Sequence, residues 1–242
     1  MLGSNLIHFA PAFPSHLRPL ASQLAIVPAF LSPHVHDCLA TAAQLKLKRL
    51  ARGPYLEGHF DAVIKGYKEA TVSAWALPSS LSSDPLQDKM DDAYFDSSDQ
   101  SVNRILRHFE ATVNAFLASH NTPTVKRWLS PHVLDLRDGN SGIGAHVDHK
   151  SAFGDVIAGL CLISPAVMRF RHIEEPAAVF DVLLPPGCMY IQTGSVRHMF
   201  THEIPISPLE HSFNGKVIER KQRISIMVRD GLDPAQASFK RS

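Results

Sequence analysis

The stretch from His132 to Arg229 predicts a mainly β domain with flanking helices, of jelly-roll type, on three observations. About eight short apolar runs follow one another at roughly even spacing, each bounded by turn-forming residues, as antiparallel all-β folds require. Val156 to Ile163 is almost wholly apolar and too short for a buried helix, so it reads as a strand covered on both faces. Two upstream stretches repeat their apolar residues at three- and four-residue steps, which makes helices with one face to lay on a sheet.

The 242 residues are enough for one large domain or two small ones, and a single domain over 24–230 with a tail over 231–242 is expected. Residues 1–36 contain no Asp or Glu, one Arg and no Lys. That composition is compatible with an organelle-targeting leader, set at 1–23, although proline interrupts any amphipathic helix there. From Ser32-Pro33 a helix begins, with Val35, Cys38, Leu39, Ala42, Leu45 and Leu50 as its stripe. Lys46, Lys48, Arg49 and Arg52 crowd its end, where cations favour the helix dipole; contact with nucleic acid is the lesser reading. Residues 78–101 combine serines with six aspartates and few apolar groups, the composition of a mobile acidic loop. Val102, Ile105, Leu106, Phe109, Val113, Phe116 and Leu117 then form the stripe of a second helix over 102–117.

The β region opens with Val133–Leu136 and Ala145–Asp148, separated by the turn cluster Arg-Asp-Gly-Asn-Ser-Gly. Strands are expected over 156–163, 167–171, 180–184, 188–192, 196–202 and 223–228, with Pro185-Pro186-Gly187 as one of the turns.

Composition narrows the function. A formal net charge of +1 gives no overall attraction to nucleic acid or anionic membrane. The three cysteines, Cys38, Cys161 and Cys188, make no C-x-x-C pair and suit a reducing compartment. No run approaches the roughly 20 apolar residues that cross a bilayer, so no membrane insertion is expected, and the chain is read as a monomer.

The chemistry gathers between His146 and Arg229. On a strand, His146 and Asp148 point to one face, and a distant His would complete the 2-His-1-carboxylate set that holds Fe(II) while leaving coordination positions open. With 14 histidines, chance triplets occur: His59-Phe60-Asp61 and His172-Ile173-Glu174 are two more. Only His146-Val147-Asp148 is followed by both a β-rich run with a further His and a strand with paired arginines. His198 and His202 both qualify as that further His, whereas His149 alternates to the opposite face. Arg223 and Arg229, six apart, share a strand face, and two guanidinium forks suit a dicarboxylate. The plain alternatives are a hydrogen-bonded His-Asp pair beside an unrelated His, and a solvent-facing basic strand that Lys221 joins.

Gly-Ala-His-Val-Asp148, the block Ile157-Ala-Gly-Leu-Cys-Leu-Ile-Ser-Pro-Ala-Val-Met-Arg-Phe170, Gly194-Ser-Val-Arg197, Thr201-His-Glu-Ile204 and the run Arg223 to Arg229 together resemble the AlkB-like Fe(II)/2-oxoglutarate-dependent dioxygenases. The likeness is greatest to the mitochondrial branch of the seventh AlkB homologues, and it runs upstream through His132-Val-Leu-Asp-Leu136 to about Leu24. It implies a double-stranded β-helix, with His146, Asp148 and His202 as the metal ligands and His198 set aside. It also implies a 2-oxoglutarate site of Tyr190, Arg223, Ile224, Ser225 and Arg229, and no catalytic residue beyond the metal site. Arg197 is left open between a site residue and a salt bridge.

The implied activity is oxidation of a C–H bond coupled to decarboxylation of 2-oxoglutarate to succinate, in the mitochondrial matrix, with a link to fatty-acid metabolism and programmed necrosis. A protein or small-molecule substrate is expected in place of nucleic acid, because a helix and an acidic loop stand where a basic, aromatic strand pair would grip a nucleotide. The alternatives are demethylation of alkylated mitochondrial RNA and a non-catalytic iron-binding interaction protein.

Overall fold

In the computed structural model, which describes residues 4–58, 63–75 and 95–232, two facing sheets form a sandwich backed by helices on one side. In chain order the elements are β1 (Ile7–Phe9), β2 (Leu24–Val27), α1 (Pro33–Leu50), β3 (Ile64–Lys65), β4 (Tyr67–Thr71), α2 (Asp99–Ser119), β5 (His132–Leu136), β6 (Gly142–His146) and β7 (Phe153–Leu162). They continue with β8 (Ala166–His172), β9 (Val179–Leu184), β10 (Met189–Gln192), α3 (Gly194–Met199), β11 (Phe200–Ile204), β12 (Ser212–Phe213), β13 (Lys216–Val217) and β14 (Arg223–Gly231). One sheet has the order β1-β9-β8-β11-β6-β3 and the other β2-β10-β7-β14-β5-β4, with every pairing antiparallel. This is the jelly roll that the strand spacing predicts, and its closure comes from strands that skip between sheets.

The two helices cover the outer face of the β10-β7-β14 sheet. Ser32 caps α1, its Oγ accepting from Val35 N at 3.3 Å, and Pro33 takes the first helical position, where no donor is lost. Val35, Leu39, Ala42, Ala43 and Leu47 pack inward. Leu45 and Leu50, expected on the stripe, are instead more than half exposed, at 56% and 53%. At about 100° per residue Leu45 falls on the far side of the helix, and Leu50 ends it beyond the covered stretch. In α2 the expected stripe is buried from Val102 to Leu117, with Phe116 at its margin. The helix starts earlier than expected: Ser98 caps it through Ser101 N, and Asp99 receives Lys46 Nζ at 2.7 Å and Trp75 Nε1 at 3.2 Å. An acid in the first turn complements the helix dipole, so the end of the expected acidic loop is helix. The remainder of that loop up to Tyr94, the His59-Asp61 triplet and the tail from Asp233 lie outside the described residues.

Strand alternation divides β14 between two cores. Ile224, Ile226 and Val228 face α1 and α2, whereas Met227 packs into the core between the sheets. That inner core is aromatic: Phe170 stacks on Phe180 with ring centroids 4.8 Å apart, and Phe200 meets Phe180 edge-on at 5.5 Å. Cys161 and Cys188 are fully buried within it, and Gly187 makes the turn after Pro185-Pro186 with φ +79°, a conformation most side chains disfavour.

Two segments differ from expectation. Residues 4–23, read as part of a leader, contribute to the domain: β1 pairs with β9, and Phe13, Leu17 and Ala21 are buried. The packed unit therefore begins upstream of Leu24. The expected strand over 196–202 is α3 followed by β11. Gln23 receives Thr193 N and Oγ1 on its carbonyl and Ser195 N on its side chain, and these bonds turn the chain into a helix that sequence alternation concealed.

Candidate active site

The centre lies at one end of the space between the sheets. In the β11–β6 pairing His202 stands directly opposite His146, and their rings approach to 4.3 Å between centroids. Asp148 sits two residues past the end of β6, outside any strand, yet its Oδ1 lies 3.1 Å from His146 Nε2 and 3.8 Å from His202 Nε2. Ligand atoms of the three residues all fall within 4.8 Å of one another, and among the described residues they are the one such cluster of His, Cys, Asp or Glu.

Hydrogen bonding fixes what these atoms present. His146 Nδ1 lies 2.9 Å from the Gly144 carbonyl, which can only accept, so the ring proton sits on Nδ1. Nε2 therefore faces the carboxylate oxygen of Asp148, and although burial acts to lower the imidazole, its bonds to Asp148 and the Gly144 carbonyl raise its affinity for a proton there. At 3.1 Å the two atoms share a proton, and a metal cation that displaces it would find both as ligands. Burial pushes the His202 imidazole down to about 3, with the neighbouring His146 adding to it, so this ring is neutral and free to ligate. For Asp148 burial acts to raise the carboxyl, but the His146 hydrogen bond and the nearby His202 and Arg229 outweigh it and hold it well below the carboxylate range. Two imidazoles and one carboxylate gathered about one point are the donor set that suits ferrous iron.

Arg229 organises the far side of Asp148. Its Nε meets Asp148 Oδ2 at 3.1 Å, its guanidinium lies 4.7 Å from the centroid of the Phe153 ring, and its Nη1 is 3.3 Å from His132 Nδ1. Guanidinium only donates, so His132 Nδ1 accepts and Nε2 donates to Glu69 Oε2 at 3.0 Å. His132 and Glu69 thus hold Arg229 from behind. Neither stands out in the sequence, because the β4–β5–β14 register that brings them together is not written in local spacing. A cavity of about 700 Å³ opens here, lined by Glu69, Thr71, Leu129, His132, Phe153 and Arg229 among others.

Deeper between the sheets lies Arg223, 1% exposed, with its Nε lacking any protein partner. A buried guanidinium with an unpaired donor is costly unless an anion meets it, which fits a carboxylate ligand and not a solvent-facing basic strand. Ser225, two residues on, shares its strand face, and Tyr190 on β10 is 2% exposed. Burial pushes the Tyr190 hydroxyl up to about 12, so it stays a donor. Its ring lies over Gly159 on β7, where any Cβ would collide with it. Alternation turns the Ile224 side chain to the helix-covered core, so the part expected of it in the 2-oxoglutarate site falls to its main chain between Arg223 and Ser225.

The rival histidines fall elsewhere. His198 is on α3 and pairs with Asp155 Oδ1 at 2.9 Å; His149 is exposed and bonds Ser151. His172 accepts the Glu174 and Glu175 amides, which makes that third triplet a turn. Arg197 donates from Nη1 to the Asp148 main-chain carbonyl at 2.9 Å, a contact with the backbone of Asp148 and not with its carboxylate.

A family model described as the 2OG-Fe(II) oxygenase superfamily matches residues 74–229, which span all of these groups except Glu69 and Thr71. The chain belongs to that superfamily. Over 224 residues it is 33% identical to the alpha-ketoglutarate-dependent dioxygenase alkB homolog 7, mitochondrial, of Mus musculus, covering 91% of this chain and 85% of that protein. The Bos taurus protein of the same name is 31% identical over 223 residues with the same coverage. These relatives put this 2OG-Fe(II) oxygenase in the AlkB-like group, near the seventh homologues. Among solved structures, a prolyl hydroxylase from Trichoplax adhaerens, in complex with a hypoxia inducible factor peptide fragment, superposes with a TM-score of 0.54. That match covers 91% of this chain and 87% of the other at 11% identity, a likeness of fold. Members of the superfamily use Fe(II) and 2-oxoglutarate, and this chain is a dioxygenase of that kind.

Proposed function

We propose that His146, Asp148 and His202 hold Fe(II), that Arg223, Ser225, Tyr190 and Arg229 receive 2-oxoglutarate, and that the enzyme oxidises a C–H bond of a protein or small-molecule substrate in mitochondria. The observation that carries the reading is the convergence of His146 Nε2, Asp148 Oδ1 and the neutral His202 ring on one point. When bound, iron with its keto-acid partner supplies the oxidising power; the protein supplies everything that aims it.

Each residue has a separate task. Arg229 engages Asp148 Oδ2 and so leaves Oδ1 turned toward the histidines. Arg223 offers a desolvated positive charge at the inner end, where it neutralises a carboxylate, and Tyr190 adds a hydroxyl donor from the neighbouring strand. The cavity beside Arg229 gives the substrate its approach. Its lining carries Glu69 and a single arginine, Arg229, which the keto-acid site shares, so it offers little to a run of phosphates. That disfavours nucleic acid and supports a protein or small organic substrate. The mitochondrial setting rests on the mouse and cattle relatives, both named mitochondrial.

The test is succinate formation from 2-oxoglutarate by purified protein with Fe(II) and oxygen. His146→Ala should abolish it while the far-ultraviolet circular dichroism stays unchanged. Turnover equal to wild type in that variant would contradict the assignment, and absence of turnover in wild type, even with mitochondrial extract as substrate source, would favour a non-catalytic iron-binding protein.

A further inference from the structure

We infer that Arg197 is a positioning residue of the metal centre: it clamps the main chain of Asp148, and Gln23 braces the helix that carries it. The inference rests on the metal reading proposed above. Asp148 lies beyond β6, and the turn that follows it, up to the start of β7, belongs to neither sheet. Strand pairing therefore does not hold this ligand. Its carboxylate is shared by His146 and Arg229, and its carbonyl is held by Arg197 Nη1 at 2.9 Å.

The cost of that contact is visible. Arg197 is 2% exposed, and its Nε and Nη2 have no protein partner. Burying a guanidinium to make a single bond to a carbonyl is unfavourable as packing, since an apolar side chain would fill the space with no unpaired donor. The arrangement makes sense if the carbonyl must be fixed. Rotation about the Asp148 main chain would swing Oδ1 away from His146 and His202, and the clamp removes that freedom.

The clamp is only as rigid as α3, which has six residues. Its first turn is tied to Gln23 from the opposite end of the chain. The Gln23 carbonyl accepts from Thr193 N at 2.9 Å and from Thr193 Oγ1 at 3.0 Å, and its side-chain Oε1 accepts from Ser195 N. Gly194, at φ +50°, lies so close to the Gln23 amide that a Cβ there would stand 2.5 Å from Oε1. Arg197 N in turn bonds Thr193 O at 3.1 Å. A residue far from the centre and upstream of Leu24 thereby sets the direction of a side chain that holds a metal ligand.

The experiment is titration of the metal-free full-length protein with Co(II), followed by the visible absorption of the bound ion, with thermal melting in parallel. Arg197→Met should weaken Co(II) binding by about tenfold or more, the range for partners that orient a metal ligand. Gln23→Ala should weaken it in the same direction but less. Gln23 is partly exposed and its loss removes one acceptor, so this variant tests the brace; should Arg197→Met fail to fold, Arg197→Gln, polar but too short to hold the Asp148 carbonyl in the same way, tests the clamp in its place. Wild-type Co(II) affinity in a folded Arg197→Met, even with a lower melting temperature, overturns the clamp; wild-type affinity in Gln23→Ala overturns the brace. His146→Ala separates the two readings. If it too binds Co(II) like wild type, the metal assignment fails; if it alone loses binding, only the clamp fails.

Discussion

Arg229 and Asp148 join the two sheets across the open end of the sandwich: Arg229 Nε, on β14 of one sheet, meets Oδ2 of Asp148, just past β6 of the other, at 3.1 Å. Both side chains are largely buried, at 15% and 9% exposure. Removing one partner of such a pair costs about 3–5 kcal/mol, because the other charge is left uncompensated. Arg229→Gln is expected to lower the melting temperature and to weaken both Co(II) and 2-oxoglutarate binding. Arg223→Gln is expected to weaken 2-oxoglutarate alone, because it touches no metal ligand. Calorimetric titration of each variant with each ligand checks the contrast.

Gly159→Ala is a sharper probe of the pocket. A methyl group there would occupy the place of the Tyr190 ring, so the ring must move or the strands must part. Overpacking of this kind costs about 1–3 kcal/mol. Urea unfolding should show the loss, and the affinity for 2-oxoglutarate should fall with it as the hydroxyl donor leaves its position.

Ile224→Val tests the opposite face of β14. With Ile224 fully buried against the helices, loss of one methylene should cost about 0.5–1.5 kcal/mol of stability. The KM for 2-oxoglutarate should not change. A raised KM with unchanged stability would return the residue to the pocket.

Glu110 gives the fold a pH dependence remote from the centre. Burial raises its carboxyl from 4.5 to about 7, partly offset by Arg107. The folded state then binds the proton more tightly than the unfolded chain, so the contribution is present below pH 4.5 and lost as pH rises through about 7. Glu110→Gln is expected to flatten that part of the stability profile, measured by urea unfolding across the same range.

Much of this was legible in the residues. The Ser32-Pro33 start of α1, the stripe of α2, the doubly covered strand around Leu160 and the shared face of Arg223 and Arg229 follow from periodicity and capping chemistry. The direction of the Ile224 side chain was legible too, since an odd offset from Arg223 turns it to the other side. Other features had no local signal. The helix at Gly194 depends on Gln23, some 170 positions earlier, and the backing of Arg229 depends on the register that sets His132 and Glu69 beside it. Asp148 does not obey the strand alternation invoked for it, because β6 has already ended; its approach to His146 is made by a turn and held by side chains.

The most direct measurement is a crystal structure of the protein with Mn(II) and 2-oxoglutarate, read from the anomalous signal of the metal. A single peak is expected within bonding distance of His146 Nε2, Asp148 Oδ1 and a ring nitrogen of His202, with the keto-acid extending from the metal so that its far carboxylate meets Arg223. A peak at any other cluster, or a keto-acid bound away from Arg223, would contradict the account.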